Sequence, residues 1–205
     1  MTVGRKLSRL LMMVAVSALA VSFGRAQEKS AEDQAKEAKD EALAKESAQK
    51  CEQTASTKAT PKMIVDKVNA AAELVGKEGK NAFLKFKGKG SEFIFAGTYI
   101  WIHNLDGVML VHPIKPKMET TNVLKMRDPK GKEIFSEMNR LVTEKSAGWY
   151  EYSWPKPGQT EASPKVSYVK LVKKGDESFV IGCGVYDMTL DDIQKAEKAE
   201  QPTKK

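Results

Sequence analysis

The spacing of apolar residues along this chain changes from helical to alternating, and the change predicts the order of its elements. A Thr60-Pro61 pair, typical of a helix start, opens a segment whose apolar residues recur every three or four positions. Gly76 is a plausible stop for this helix, and a shorter helical piece follows around residues 81–86. The apolar face of the first helix consists of Ile64, Val68, Ala71 and Val75.

Residues 97–116, GTYIWIHNLDGVMLVHPIKP, predict a β-hairpin with its turn at the Asp-Gly pair. Because side chains alternate along a strand, Tyr99, Trp101 and His103 should share one face. The hairpin holds both histidines of the chain. We expect His103, beside the turn, to be exposed to water and incidental, and we expect His112, at the end of the second strand, to matter.

After a polar crossing, an amphipathic helix is predicted to start at the Asp128-Pro129 pair and to end near Gly148. Three strand-like runs follow at residues 149–154, 166–172 and 178–186, and a polar helix begins at Leu190. This order of elements predicts a single α+β domain: a PAS-like, five-stranded antiparallel sheet with a long N-terminal helix.

Residues 27–58 are almost entirely Ala, Lys, Glu, Asp, Gln and Ser, which are good helix formers, with only a weak alanine stripe. Such a helix should bury little, so we expect a charged, solvated spacer. A dimerising coiled coil is the alternative, although alanine in its seam would make it weak. We therefore place the folded domain at residues 59–187 and a polar C-terminal helix and tail at residues 188–205.

The first residues carry a basic segment and then an apolar run, Leu10 to Phe23, that is short for a membrane span. Small residues around Ala26 suit a signal peptidase, so residues 1–26 are predicted to be a signal peptide cleaved before Gln27. The mature protein would then be periplasmic or secreted. An uncleaved N-terminal membrane anchor is the alternative.

Composition changes this picture in two respects. Four of the basic residues behind the formal charge of +7 lie in the predicted signal peptide, so the mature chain is only mildly basic and gives no reason to expect nucleic acid. The two cysteines, Cys51 and Cys183, would meet an oxidising compartment and are predicted to form a disulfide, with two free thiols as the alternative.

No motif nominates a metal site, a cofactor or a catalytic nucleophile with its base. Aromatic and hydrogen-bonding residues instead accumulate on the predicted strands, and an apolar pocket with a few polar groups is how proteins bind small polar ligands. Lysine and histidine beside tyrosine hydroxyls would suit a carboxylate. Simple core packing of the same aromatics is the alternative. The candidate residues are Tyr99, Trp101, His112, Trp149, Tyr152, Trp154, Lys165, Tyr168 and Tyr186.

The run Y-I-W-x-x-x-L-D-G-V-M-L-x-H-P at residues 99–113 resembles the signature of single Cache domains of the Cache_2 type. Later pieces, LKMRDPKGKEIFSEM, GWYEYSWPKPG, PKVSYVKLV and VIGCGVY, are similar to that family in order and spacing, so the resemblance covers about residues 60–187. It implies an extracytoplasmic sensor whose PAS-like sheet holds a small molecule, often a short carboxylate. It would place ligand contacts on Tyr99, Trp101, His112, Lys165 and Tyr168.

We therefore expect a small-molecule-binding sensory module that passes its state to a partner, such as a membrane receptor, kinase or transporter. The alternative is a structural or interaction protein without a small ligand, whose charged N-terminal helix contacts a partner. An enzyme is disfavoured because no catalytic constellation is present.

Overall fold

The computed structural model of the chain describes residues 30–200. The predicted signal peptide, its cleavage after Ala26 and the last five residues lie outside this range. Within it, no helix combines the length and the apolar character that crossing a membrane requires.

The described residues contain four α-helices and six strands. The helices are α1 (Ala31–Thr54), α2 (Pro61–Glu78), α3 (Phe135–Lys145) and α4 (Leu190–Glu200), with 3₁₀ helices at Gly79–Phe86 and Pro116–Met118. The strands are β1 (Ile94–Phe95), β2 (Thr98–Asn104), β3 (Met109–Val111), β4 (Ala147–Pro155), β5 (Ala162–Lys174) and β6 (Glu177–Tyr186).

The strands form one antiparallel sheet in the order β1-β2-β6-β5-β4, and β3 pairs with the same edge of β2 as β1 does. The long last strand, β6, therefore lies at the centre, between β2 and β5. The predicted α+β class and antiparallel sheet are confirmed, with the two-residue β1 as an addition to the five predicted strands.

The sheet has an apolar core on each face. The amphipathic helix α2 covers one face, where Ile64 and Val68 pack against Ile100 and Ile181 of the central strands. The helix starts as predicted, because the Thr60 hydroxyl accepts a hydrogen bond from the Met63 N–H at 3.2 Å. On the opposite face, α3 and the segment before it cover a core rich in aromatic residues.

Two predicted helix boundaries are wrong. Helix α2 passes Gly76 and ends at Glu78, because the glycine that adopts a positive φ, 60°, is Gly79. Helix α3 begins at Phe135 and not at the Asp128-Pro129 pair, because Asp128 caps a turn instead of a helix. Its carboxylate accepts hydrogen bonds from the N–H groups of Lys130, Lys132 and Ser153.

Helix α1 forms as predicted, but its second half is not a solvated spacer. Ala44, Ser47 and Cys51 are buried against the domain, and the Ser47 hydroxyl accepts a hydrogen bond from the Gly88 N–H at 2.8 Å. These residues are small, so the helix approaches the domain closely without needing a stripe of large apolar side chains. The predicted domain boundary at residue 59 stays a prediction.

The predicted disulfide is absent, since both cysteines of the chain are buried free thiols in the structure. Thr98 takes part in a contact with each sulfur: the Cys51 Sγ lies 3.6 Å from its carbonyl oxygen and the Cys183 Sγ lies 3.8 Å from its hydroxyl. Burial raises the pKa of each thiol to about 12, so both stay protonated at neutral pH.

Candidate functional site

Lys165, near the start of β5, places a fully buried ammonium group in the aromatic core. Its Nζ lies 4.5 Å from the ring centroid of Tyr186, 4.7 Å from that of Tyr99 and 5.3 Å from that of Trp101. It donates a hydrogen bond of 3.2 Å to the Tyr186 hydroxyl. Across residues 30–200, no Asp or Glu forms an ion pair with this lysine. The site is therefore a buried cation surrounded by aromatic faces.

Two glycines of the central strand β6 make room for this arrangement. A Cβ on Gly184 would lie 2.1 Å from the Ser167 Oγ and 2.6 Å from the Lys165 Cε. A Cβ on Gly182 would lie 2.2 Å from the Trp101 ring. All three distances are too short for a Cβ atom, so the glycines let the lysine and the indole lie directly against the strand.

Unused and shared hydrogen-bond donors surround the ammonium group. The Trp101 Nε1 is buried and has no partner among the described residues. The Trp154 Nε1 donates to the Tyr99 hydroxyl at 3.1 Å, and the hydroxyls of Tyr152 and Ser167 are 3.1 Å apart. The cluster therefore offers one cation, an unpartnered N–H and several hydroxyls, which we call the Lys165 cluster.

His112 lies beside this cluster, with its ring centroid 5.1 Å from that of Tyr99. Its Nδ1 accepts a hydrogen bond from the Lys115 N–H at 3.0 Å, so in the neutral ring the proton is on Nε2, which is a donor. Burial, together with the positive charge of Lys165, lowers the pKa of His112 to about 3. The imidazole is therefore neutral at physiological pH.

Burial also controls the charge of the other groups in the cluster. It lowers the pKa of Lys165 to about 8, because water cannot solvate the ammonium group there, yet the lysine remains mostly protonated at pH 7. Burial raises the pKa values of the Tyr99, Tyr152 and Tyr186 hydroxyls, so these stay neutral. The net result is a positive site with neutral donors, which suits a small anion.

Four of the predicted ligand-binding residues come together here, and two do not. Tyr99, Trp101, His112 and Lys165 meet on the α3 side of the sheet. Trp149 and Tyr168 are directly paired across β4 and β5 but face the α2 side, where their ring centroids are 5.2 Å apart.

On that opposite face, the Trp149 Nε1 donates to the Glu197 carboxylate at 2.9 Å and so contacts α4. Tyr168 lies three positions from Lys165 along β5, and Trp149 lies three positions from Tyr152 along β4. Strand alternation therefore directs the members of each pair to opposite faces.

The prediction that His103 is exposed is wrong. Its side chain is fully buried, its Nε2 lies 3.0 Å from the Asn139 Oδ1, and its ring makes an edge contact with Phe135. The Asn139 amide nitrogen donates to the Leu105 carbonyl, which directs Oδ1 toward the histidine. The cause is α3, which packs over the hairpin turn. Burial lowers the pKa of His103 to about 4.

The residues of the site that sequence reasoning missed include Gly182, Gly184 and Ser167. Two glycines separated by one residue within a strand were a usable signal, because they indicate a close approach on one face. Ser167 follows Lys165 at a spacing of two and so shares its face. Lys115 was also missed, and its Nζ lies 4.9 Å from the ring centroid of Trp154.

Comparisons with known proteins agree with this architecture. The family model of the Cache domain, of the dCache_2 type, matches residues 29–201. The chain is 42% identical over 103 residues to the methyl-accepting chemotaxis protein McpP of Pseudomonas putida, a match that covers 50% of this chain and 18% of that protein. It is 32% identical over 96 residues to the sensor histidine kinase MctS of Rhizobium johnstonii, covering 46% of this chain and 19% of that kinase.

The chain thus matches only about a fifth of the length of each of these two relatives. Among solved structures, a Cache chemosensory domain described for carboxylic acid recognition is 28% identical. The alignment covers 78% of this chain and 100% of that chain, with a TM-score of 0.45.

Proposed function

Since the chain belongs to the Cache domain family, whose members are extracytoplasmic ligand-sensing modules, we propose that its Lys165 cluster binds a small organic acid by the carboxylate. The observation that carries this proposal is the fully buried ammonium group of Lys165, which has no acidic partner among residues 30–200. A buried charge without a partner costs several kcal/mol, and a carboxylate ligand would remove much of that cost.

The geometry around the ammonium group supports a carboxylate rather than a simple anion. A carboxylate has two oxygens, and two buried donors face this site: the Lys165 ammonium group and the unpartnered Trp101 Nε1. The Lys165 Nζ lies 5.3 Å from the centroid of the Trp101 ring. The neutral His112 Nε2 and the Tyr99 hydroxyl supply further donors, whereas the Tyr186 hydroxyl accepts from Lys165 and donates to the Pro155 carbonyl at 3.0 Å. Charge-assisted hydrogen bonds of this kind are the strong ones.

The same donor set favours acids without an amino group. An amino acid would bring an ammonium group that needs an anionic partner, and no Asp or Glu among residues 30–200 forms a hydrogen bond or ion pair with Lys165. The ligand class is therefore a short organic acid whose remaining polar groups are neutral, such as a hydroxyl or carbonyl that could bond to the Tyr152–Ser167 pair.

The proposed role is sensing without catalysis. The chain would be exported, cleaved after Ala26, and would report ligand binding to a membrane receptor, kinase or transporter. Its relatives in these comparisons are a chemotaxis receptor and a sensor kinase, which supports a signalling context.

A matched pair of probes tests the carboxylate assignment. Acetate and acetamide are similar in size, but only acetate carries a charge, so titration calorimetry with each isolates the charge contribution. We extend this to propionate, lactate and glycine, and expect binding of the hydroxy and unsubstituted acids, with no binding of the amides or of glycine. Equal heats for acid and amide, or saturable binding by glycine alone, would contradict the proposal.

Tyrosine variants supply the control for location. Tyr186→Phe removes the hydroxyl that accepts from Lys165, and Tyr168→Phe removes a hydroxyl on the opposite face. We expect weaker acetate binding only in Tyr186→Phe. If no acid in an extended panel binds the parent protein, the alternative of an interaction module without a small ligand is favoured.

A further inference from the structure

A groove of about 650 Å³ lies between the first half of α1 and the 3₁₀ helix Gly79–Phe86, and none of its lining residues belongs to the Lys165 cluster. Its apolar residues are Phe83, Leu84, Leu110 and Pro116. Leu84 is 64% exposed and is the only large hydrophobic side chain among the described residues that is exposed. A single exposed leucine is ordinary, but one that continues an apolar groove indicates a contact surface.

The α1 side of this groove is acidic. Its lining includes Asp33, Glu37, Asp40 and Glu41, which helix geometry places along one face of α1 at i, i+4, i+7 and i+8. With Glu119 on the other side, five carboxylates line the groove against three lysines. The groove is therefore net negative, although the chain as a whole carries a formal charge of +7.

We propose that this groove is a docking surface for a basic amphipathic helix of a partner protein. Apolar side chains of that helix would contact Phe83 and Leu84, and its Lys or Arg residues would face the acidic stripe of α1. Helices bind grooves in this way through anchors spaced at i, i+3, i+4 and i+7. The complementary charges would orient the helix and speed its association.

A second copy of this chain does not supply such a helix within residues 30–200. The apolar face of α2 is already buried under the sheet, and α1 offers only a weak stripe of alanines among its charges. With Leu84 as the sole exposed large hydrophobic side chain in that range, another copy has no apolar helix face to place in the groove. Residues 30–200 of a second copy therefore do not supply the occupant, and the proposal assigns the groove to a different protein.

The groove also contacts the proposed ligand site through one residue. Glu119 lines the groove, pairs with Lys87 at 2.7 Å, and accepts a hydrogen bond from the His112 N–H at 2.8 Å. His112 in turn packs against Tyr99 of the Lys165 cluster. A helix bound in the groove would thus contact Glu119, which is hydrogen-bonded to the backbone of His112.

The test is a selection with a displayed library of helical peptides, carried out on the parent protein and on the Leu84→Asp variant in carboxylate-free buffer. We expect peptides enriched on the parent to combine Leu or Phe at helical spacing with Lys or Arg along one edge. The affinity of the best peptide should fall at least tenfold for Leu84→Asp and for the double variant Asp33→Lys/Glu41→Lys. It should stay within twofold for Glu161→Lys, an exposed acid between β4 and β5.

Three results would overturn the proposal: peptides enriched equally on the parent and on Leu84→Asp, acidic or uncharged consensus peptides, or no enrichment specific to the parent. Sedimentation equilibrium tests whether a second copy of the chain occupies the groove. A parent protein that dimerises, together with a Leu84→Asp variant that stays monomeric, would assign the groove to a second copy. Because no carboxylate is present, failure here leaves the proposed ligand site untouched, and failure of acetate binding leaves this groove untouched.

Discussion

The ammonium group of Lys165 lies 4.7 Å from the centroid of the Tyr99 ring, in a site where burial lowers the lysine pKa to about 8. Aromatic faces attract cations, and a desolvated contact contributes about 2 kcal/mol. Burial nevertheless removes the water that would solvate the ammonium group, which is why the lysine pKa is lowered. The free protein therefore holds a charge at a net cost in stability, which is common where binding requires it.

Replacing this lysine should separate stability from binding. In Lys165→Met the cost of burying the charge disappears while most of the side-chain volume remains, so the free energy of unfolding at pH 7 should rise by on the order of 2–3 kcal/mol. Acetate binding should be lost. Chemical denaturation and calorimetry on the same samples measure both effects. A variant that is less stable and still binds acetate would show that the lysine has a structural role instead.

Carboxylate binding should depend on pH in one direction. Below pH 8 the free protein carries the Lys165 ammonium group and affinity should be nearly constant. Above pH 8 the free protein holds a neutral amine, so ligand binding must also take up a proton, and affinity should fall about tenfold for each further pH unit. Titrations at pH 6.5, 7.5, 8.5 and 9.5 check this. A flat profile through pH 9.5 would exclude the lysine as the cation.

The glycine at the bottom of the site should not tolerate even one methyl group. Gly184→Ala places a Cβ 2.1 Å from the Ser167 Oγ, so strand or side chains must shift, at a cost of about 1–3 kcal/mol in stability. Because Lys165 is displaced, acetate affinity should fall as well. Gly90→Ala is the matched control, since nothing lies within 4 Å of the added Cβ. Thermal unfolding of both variants measures the loss of stability. An equal loss in Gly184→Ala and Gly90→Ala would show that the close approach at Gly184 is unimportant.

The two buried histidines should make the fold sensitive to mild acid. Burial holds the pKa of His103 near 4 and that of His112 near 3, below the value of about 6.5 in an unfolded chain. Their stabilising contribution is full above pH 6.5. As pH falls from there toward 4, the unfolded state takes up protons that the folded state cannot, and each histidine removes about 1.4 kcal/mol per pH unit.

Urea unfolding at pH 7.5, 6.5, 5.5 and 4.5 measures this slope, and His103→Gln should reduce it by about half, because one of the two groups is gone. Glutamine keeps a hydrogen-bonding group near Asn139, so the variant remains foldable enough for comparison. An unchanged slope in His103→Gln would mean that its protonation does not govern acid unfolding.

The sequence by itself determined the elements of this protein and much of its candidate site. The periodicity of Ile64, Val68 and Val75 located the helix on one face of the sheet, and the alternation around Asp106-Gly107 located the hairpin. These signals are local, because helix and strand geometry fix which neighbours along the chain share a face. The same alternation could have separated Tyr168 from Lys165, since they lie three residues apart on one strand.

Only the tertiary structure decided what each face meets. His103 is buried because α3, more than 30 positions further along the chain, brings Asn139 over the hairpin turn. The small residues of α1 become buried only because a distant segment around Gly88 accepts that helix. Lys165 is a buried cation, and not an ordinary surface lysine, because Gly184 on the neighbouring strand leaves space for its stem. Burial depends on contacts between residues far apart in the chain, and no local pattern of hydrophobic and polar positions records those contacts.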